Sequence, residues 1–120
     1  MISIIVLLFV LAAICNACMD KLSFHYHKSI FNKLNPNFWN PAVSWRTAKI
    51  IPFTKYKLDA WHLFKSAWVV FVSIALATAF VYSKNNTCNS WLLISIVIFL
   101  GIIWNTTFNL FFNRILSRNV

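Results

Sequence analysis

The side chains of this chain that could carry out acid–base or metal chemistry lie beside its apolar segments. Asp59 and His62 open the second apolar segment, and their spacing puts a carboxylate and an imidazole on one face of a helix. Asp20 follows the first apolar segment directly, with His25 and His27 soon after it. Histidine and carboxylate side chains bind divalent metals, and the same groups transfer protons in catalysis. These five residues are therefore candidates for a divalent metal site or for a catalytic acid–base site.

A structural interpretation of the same residues also stands. Asp59 is placed to cap the N-terminus of a helix by accepting an amide proton from its first turn. His25 and His27 point about 200° apart in a helix and share a face only in an extended segment. The sequence contains no histidine box, nucleophile elbow, phosphate loop or zinc signature. An enzyme is therefore the less favoured interpretation, and no cofactor beyond a divalent metal is indicated.

The composition decides which kind of element must position these residues. Of the 120 residues, 60% are hydrophobic and only 11% are charged, with a net charge of +9. An average soluble domain is about 45–50% apolar and about 25% charged, so this chain cannot coat a water-facing surface. It is too hydrophobic for a disordered protein, and three cysteines are too few for a secreted disulfide scaffold. The pattern favours a membrane protein, and no nucleic-acid partner is expected.

Three apolar segments are long enough to span a bilayer, which takes about 20 residues each. No lysine or arginine precedes the first, as a signal peptide would require, so we expect it to be retained. The sequence predicts an all-α polytopic membrane protein with one membrane domain over residues 1–120. The predicted parts are spans at residues 2–19, 61–82 and 91–112, an interfacial aromatic and basic loop at 20–60, and a basic tail at 113–120.

The distribution of basic residues predicts the orientation. Ten of the eleven lysines and arginines lie in residues 20–65 or in the tail, and only Lys84 lies in the loop between the second and third spans. The positive-inside rule then places the N-terminus outside and the C-terminus in the cytoplasm, in the inner or plasma membrane. Basic and aromatic residues together favour the headgroup layer, so the long loop is expected to contact anionic lipids. Within it, Asn35-Pro36 and Asn40-Pro41 predict turns, and residues 43–49 a short helix.

Two rows of residues predict helix packing. Small residues on the second span allow close backbone approach, and asparagine in hydrocarbon is costly unless paired, so both rows should face other helices. The rows are Ser73, Ala75, Ala77 and Ala79 in the second span, and Gly101, Asn105, Asn109 and Asn113 at the third. The partner would be another helix of this chain, a second copy, or another membrane protein. A functional polar cavity is the alternative for the asparagines.

Several short segments resemble a known group of proteins. They are Asn16-Ala-Cys-Met-Asp20, Ser29-Ile-Phe31, Phe38-Trp-Asn-Pro41, Ser44-Trp-Arg46 and Asp59-Ala-Trp-His-Leu-Phe-Lys65. Over residues 16–65, the chain resembles small uncharacterised membrane proteins of Bacteroidota-type bacteria and their phages. That group has no established activity. The resemblance therefore implies a bacterial or phage setting and assigns no role to any residue.

Three functional hypotheses follow from these observations. The first is a small membrane protein with a structural or interaction role, as an oligomer or an accessory subunit. The second is a metal-dependent or acid–base enzyme acting on a lipid or polyprenyl phosphate at the cytoplasmic leaflet, with the aspartates and histidines as ligands or proton carriers. The third is a holin-like or virion membrane protein, which the small size, the number of spans and the basic tail would suit.

Overall fold

The computed structural model describes residues 1–47, 50, 52–53, 57–85 and 90–118. Within these residues the α-helices are, in chain order, α1 (Ile2–Phe24), α2 (Pro36–Trp39), α3 (Pro41–Thr47), α4 (Ala60–Asn85) and α5 (Ser90–Leu110). A π-helical segment, Phe111–Ile115, continues α5 without a break. Two 3₁₀ turns, Tyr26–Lys28 and Ile30–Lys33, join α1 to α2.

Three of these helices are long and apolar enough to cross a membrane. They cover Ile2–Phe24, Ala60–Lys84 and Ser90–Ile115, with mean hydropathies of 2.7, 1.9 and 2.0 over their most apolar windows. At about 1.5 Å per residue, each exceeds the roughly 30 Å of a hydrocarbon core. The predicted all-α class with three spans is therefore confirmed. α1 runs on to Phe24, beyond the span end predicted at residue 19, so Asp20 lies on the helix rather than in a loop.

α1 is the central helix of the bundle. Both α4 and α5 pack against it, and they make few direct contacts with each other. Of the apolar windows, 44% is buried in α1, 6% in α4 and none in α5. The buried face of α1 includes Ala12, Ala13 and Ala17, and such small side chains let neighbouring helices approach closely. α4 and α5 are therefore held in the bundle mainly by their contacts with α1.

One end of the bundle is closed by a hydrophobic cluster, and we call it the closed end. Buried residues from α1, the 3₁₀ turns, the start of α4 and the C-terminal segment (residues 111–118) meet there, with large aromatic side chains packed around them. The buried members are Ala17, Cys18, Leu22, Tyr26, Phe31, Ala60 and Leu116. The aromatic side chains around them are Phe38, Trp39, Trp61, Phe64, Phe108, Phe111 and Phe112.

The segment after α1 is tied to the C-terminal segment by backbone hydrogen bonds. Ser29 and Ser117 form an antiparallel bridge, beside which Ile30 N–H donates to the Leu116 carbonyl at 3.0 Å. On the other side, Arg118 N–H donates to the Lys28 carbonyl at 2.8 Å. These bonds fold the start of the long loop onto the helix ends.

The two asparagine–proline pairs begin helices, where the sequence predicted turns. The side-chain oxygen of Asn35 accepts from Asn37 N–H, and that of Asn40 from Ala42 N–H, each at 3.0 Å. The asparagine side chains satisfy free amides, and each proline has a backbone angle already suited to a first helical turn. The short helix predicted at residues 43–49 is present as α3, which ends at Thr47; the last two residues lie outside the described part of the chain.

At the opposite end, which we call the open end, the three long helices leave an apolar cleft of about 130 Å³. The start of α1, the end of α4 and the start of α5 all contribute to its walls. Its lining residues are Ile2, Ile5, Val6, Ala79, Tyr82, Ser83, Leu93, Ile96, Phe99 and Leu100. The two ends of one bundle therefore differ in how completely they are packed.

Candidate functional site

Asp59 is a buried carboxylate at the N-terminus of α4, only 3% exposed. Its Oδ1 accepts from His62 N–H at 2.8 Å, which confirms the predicted helix cap. The same oxygen lies 2.8 Å from His62 Nδ1, while Oδ2 accepts from the Ser44 hydroxyl at 3.0 Å. Both carboxylate oxygens are therefore occupied by protein donors.

The hydrogen bonds keep Asp59 ionised. Burial raises the pKa of this carboxyl, but the His62 amide, the His62 ring and the Ser44 hydroxyl outweigh burial and hold the pKa below its ordinary value. An ionised carboxylate at Nδ1 favours the histidine form that carries its proton there. The His62 side chain is 55% exposed, so its other nitrogen, Nε2, is left to face outward. The pair presents one imidazole nitrogen at the surface of the closed end.

Ser44 supports this pair and is not an activated nucleophile. In a serine–histidine–carboxylate triad the histidine accepts the hydroxyl proton, and the carboxylate holds the histidine from the other side. Here the Ser44 hydroxyl donates directly to Asp59, and Ser44 is itself buried. The residue fixes the carboxylate from α3. Sequence reasoning missed it, because a serine 15 positions before Asp59 carries no spacing signal.

The other acid–base candidates lie apart from this pair. Asp20 is half-buried on α1. The His25 ring packs edge-on against Phe112, with centroids 5.3 Å apart, and the His27 ring packs edge-on against Tyr26 at 5.6 Å. Among the described residues, which include all five candidates, no three histidine, cysteine or acidic side chains gather closely enough to hold a metal ion. The structure therefore gives the metal hypothesis no support and leaves Asp59 and His62 as the acid–base candidates.

Lys21 forms a second polar centre at the closed end. Its side chain is buried, and Nζ donates to the Phe112 carbonyl at 2.8 Å and to Ser117 Oγ at 2.7 Å. Nζ also lies 4.3 Å from the centroid of the Phe112 ring. The last carbonyls of a helix lack intrahelical donors and carry partial negative charge, so a lysine there satisfies both needs. From the sequence, Lys21 indicated only the orientation of the chain in the membrane. In the structure, its side chain binds the C-terminal segment to α1 and so acts as a clamp.

The row of small residues on α4 is only partly buried. Ala75 is 1% exposed, whereas Ser73 and Ala77 are exposed and Ala79 lines the open cleft. Small size alone therefore did not identify the packed positions. The packing side chains at the start of α4, Trp61 and Phe64, are large and aromatic.

The row on α5 differs from its prediction. Asn105 and Asn109 are exposed, and no heavy atom lies within 4 Å of where a Cβ would stand on Gly101. α5 instead turns large aromatics toward the rest of the bundle: Trp104 packs against Phe9 of α1, and Phe108 packs against the closed-end cluster. This aromatic row precedes the asparagine row by one residue, or about 100° around the helix. The asparagines therefore lie to one side of the face that meets the bundle, and they are exposed.

Comparison of the chain with known proteins found no match. The chain matches no protein family, no functionally described protein and no solved structure. The resemblance to small membrane proteins of Bacteroidota-type bacteria and their phages, drawn from residues 16–65, therefore stays a prediction.

Proposed function

We propose that this chain is a small integral membrane protein with a structural or interaction role, exerted by binding a further transmembrane helix. The observation that carries the proposal is the pair of exposed asparagines on α5, Asn105 and Asn109, with the half-buried Gly101 one turn before Asn105. No residue in the apolar window of α5 is buried, so the side chains of Asn105 and Asn109 are accessible to a partner.

The position of these asparagines makes their exposure costly. Asn105 lies near the middle of the Ser90–Ile115 span, and Asn109 lies one turn further on. Exposed neighbours on the same helix, such as Val97, Ile98 and Ile102, are apolar and suit lipid. A polar amide in hydrocarbon costs several kcal/mol when it has no hydrogen-bond partner, and about 1–3 kcal/mol on mutational scales. Asn105 and Asn109 each make one hydrogen bond within this span, which leaves the rest of each amide unpaired. A partner helix with polar groups at the same depth would relieve that cost.

The orientation proposed for the chain places the closed end at the cytoplasmic face of an inner or plasma membrane. Support comes from charge, because the basic residues that the structure describes in the loop and tail belong to this end, whereas Lys84 lies in the last turn of α4 near the open cleft. Exposed Trp45 is covered by the guanidinium of Arg46, 4.5 Å from its ring centroid. Aromatic and cationic side chains in such pairs suit a layer of anionic headgroups.

The interaction role is tested by cross-linking the protein in membranes. We expect the native chain to give a cross-linked product of defined mass, and the double variant Asn105→Leu/Asn109→Leu to lose most of it, because the polar contacts disappear. Ser73→Leu is the matched control, since it removes an exposed polar side chain from α4 instead of α5. A native chain that gives no product in bilayers, or a product indifferent to both asparagines, contradicts the proposal.

A second candidate function rests on the Asp59–His62 pair. The Asp59 carboxylate at Nδ1 fixes the orientation of the His62 ring, and an oriented imidazole can serve as a general base. Lys65 lies one turn along α4, with Nζ 4.9 Å from the centroid of the Trp61 ring. An imidazole and an ammonium at a headgroup layer suit the phosphate of a lipid or polyprenyl phosphate.

This second candidate is tested by turnover in reconstituted vesicles. The native protein and the His62→Gln variant would be incubated with a lipid phosphate and with a polyprenyl phosphate, and released phosphate and modified lipid would be measured. Product that depends on His62 supports acid–base chemistry at this position. Equal background with both proteins contradicts it.

A further inference from the structure

We infer that the helix bound by α5 is α5 of a second copy of this chain, in a parallel homodimer joined through Asn105 and Asn109. The inference rests on the proposed function and names its partner. It follows from which amide atoms are unpaired, from their depth in the span, and from the free space beside Gly101.

The unpaired atoms of the two amides complement each other. Asn105 Nδ2 donates to the Gly101 carbonyl of its own helix at 3.0 Å, which leaves Asn105 Oδ1 as a free acceptor and the second Nδ2 hydrogen as a free donor. Asn109 Oδ1 lies 3.5 Å from the Asn113 side-chain nitrogen, a long contact, and Asn109 Nδ2 remains a free donor. An amide group offers both a donor and an acceptor. Each asparagine can therefore both donate to and accept from the same asparagine of a second α5.

Depth in the membrane selects a second copy over an unrelated helix. Copies inserted with the same topology hold each residue at the same height, so their α5 helices are parallel and their asparagines meet. A twofold interface uses the same surface on both chains, and each contact occurs twice. Asn105 Oδ1 can then accept from Asn105 Nδ2 of the second copy, through the hydrogen that is not donated to Gly101, and the reverse bond forms across the axis. An unrelated helix would need polar groups at two matching heights.

The local surface permits the close approach that such bonds need. Gly101 stands one turn before Asn105, and the space beside it is empty out to 4 Å. Glycine one turn from a polar residue lets two helix backbones come near enough for short side chains to bond across. α1 contacts the aromatic row of Trp104 and Phe108, so this face of α5 stays open in the folded chain. A dimer can therefore form without rearrangement of the three-helix unit.

The test is energy transfer between donor- and acceptor-labelled full-length copies in phosphatidylcholine vesicles, titrated by lipid-to-protein ratio. We expect the native chain to self-associate, and Asn105→Leu/Asn109→Leu to weaken self-association by about tenfold, since two reciprocal hydrogen bonds are lost. Ser73→Leu and the conservative Asn105→Gln should stay within about twofold of the native chain. Helical content by circular dichroism shows that each variant is folded.

The possible results separate this inference from the function it rests on. Transfer in the native chain that falls only in the asparagine double variant supports the parallel homodimer. If the native chain shows no energy transfer but still forms an asparagine-dependent cross-link to another protein in membranes, the partner is not a second copy. The proposed interaction role is then retained. Self-association that ignores both asparagines overturns the inferred interface. Absence of any asparagine-dependent association overturns the inference and the proposed function together.

Discussion

The closed end and the open end of this bundle are built from the same three helices, yet they are stabilised differently. At the closed end, the buried polar residues Lys21, Ser29, Ser44 and Asp59 all have hydrogen-bond partners. At the open end, α1, α4 and α5 meet around an apolar cleft of about 130 Å³. In lipid, apolar contact gives little net attraction between helices, because lipid tails are equally apolar. Polar clamps and interlocked aromatics therefore decide where a small membrane bundle is tight.

The substitution expected to lower the stability of the closed end most is Lys21→Met. The variant keeps the length of the side chain but leaves the Phe112 carbonyl and Ser117 without their charged donor. Hydrogen bonds to charged groups contribute about 1.5–3 kcal/mol, so we expect the free energy of unfolding to fall by about 2–3 kcal/mol in a mild-detergent denaturation series.

Lys84→Met is the matched control at the other end of the bundle. Lys84 is exposed, and surface substitutions usually change stability by less than about 0.5 kcal/mol. Equal loss of stability in both variants would show that the closed end does not depend on the lysine clamp. Faster amide exchange at Leu116 and Arg118 in Lys21→Met alone would place the damage at the C-terminal segment.

The same substitution at two nearby alanines of α4 compares packed and unpacked surface. Ala75 is 1% exposed, so Ala75→Leu should force its neighbours apart and cost about 1–3 kcal/mol. Ala79 lines the open cleft, where a larger side chain has room, and Ala79→Leu should change stability by less than about 0.5 kcal/mol. Unfolding in mild detergent measures both, and equal costs would contradict the difference in packing.

Removal of the Asp59 carboxylate probes the polar pair at the start of α4. Loss of a helix cap costs about 0.5–2 kcal/mol, and Asp59→Ala also strands the buried Ser44 hydroxyl, so we expect about 1–2 kcal/mol. Asp59→Asn should lose less, because asparagine also caps helices. Asp20→Ala, which removes the other acidic side chain, serves as the control. A variant Asp59→Ala as stable as the native chain would contradict a structural role for the pair.

The smallest expected effect is the pH dependence from Asp59. Its pKa is lowered in the folded chain, so between the folded and unfolded values the unfolded state binds more protons. The stabilisation is complete above the unfolded pKa of about 3.9 and is lost as pH falls through the lower folded value. Unfolding measured from pH 6 downward should therefore show an acid loss that is smaller in Asp59→Asn. Identical pH profiles would contradict the lowered pKa.

Some parts of this structure were within reach of sequence reasoning. The cap at Asp59 followed from one residue type at the start of an apolar run, because capping is decided within one helical turn. The pairing with His62 followed from the i,i+3 spacing for the same reason. Ser44 lies on a different helix, and Lys21 bonds to residues more than 90 positions away. Contacts of that kind have no local spacing signal.

The asparagine row of α5 shows most clearly what helical spacing cannot predict, namely which face of a helix packs inward. The four-residue spacing placed Gly101, Asn105 and Asn109 on one face of the helix, and in the structure both asparagines of that face are exposed. Period alone could not say which face of α5 meets α1, since the aromatic row one residue earlier has the same period. Trp104 and Phe108 offer the larger contact area and took the inner position.

The sequence by itself determined the three spans, the all-α class and the cap of α4, because hydrophobic length and helical periodicity are local properties of a chain. Tertiary structure alone decided that α1 lies at the centre, that Lys21 clamps the C-terminal segment, and that the asparagines of α5 face outward. These outcomes depend on which apolar faces fit together and which backbone groups remain unpaired at helix ends. Which faces pack together is therefore decided only when all three helices are assembled.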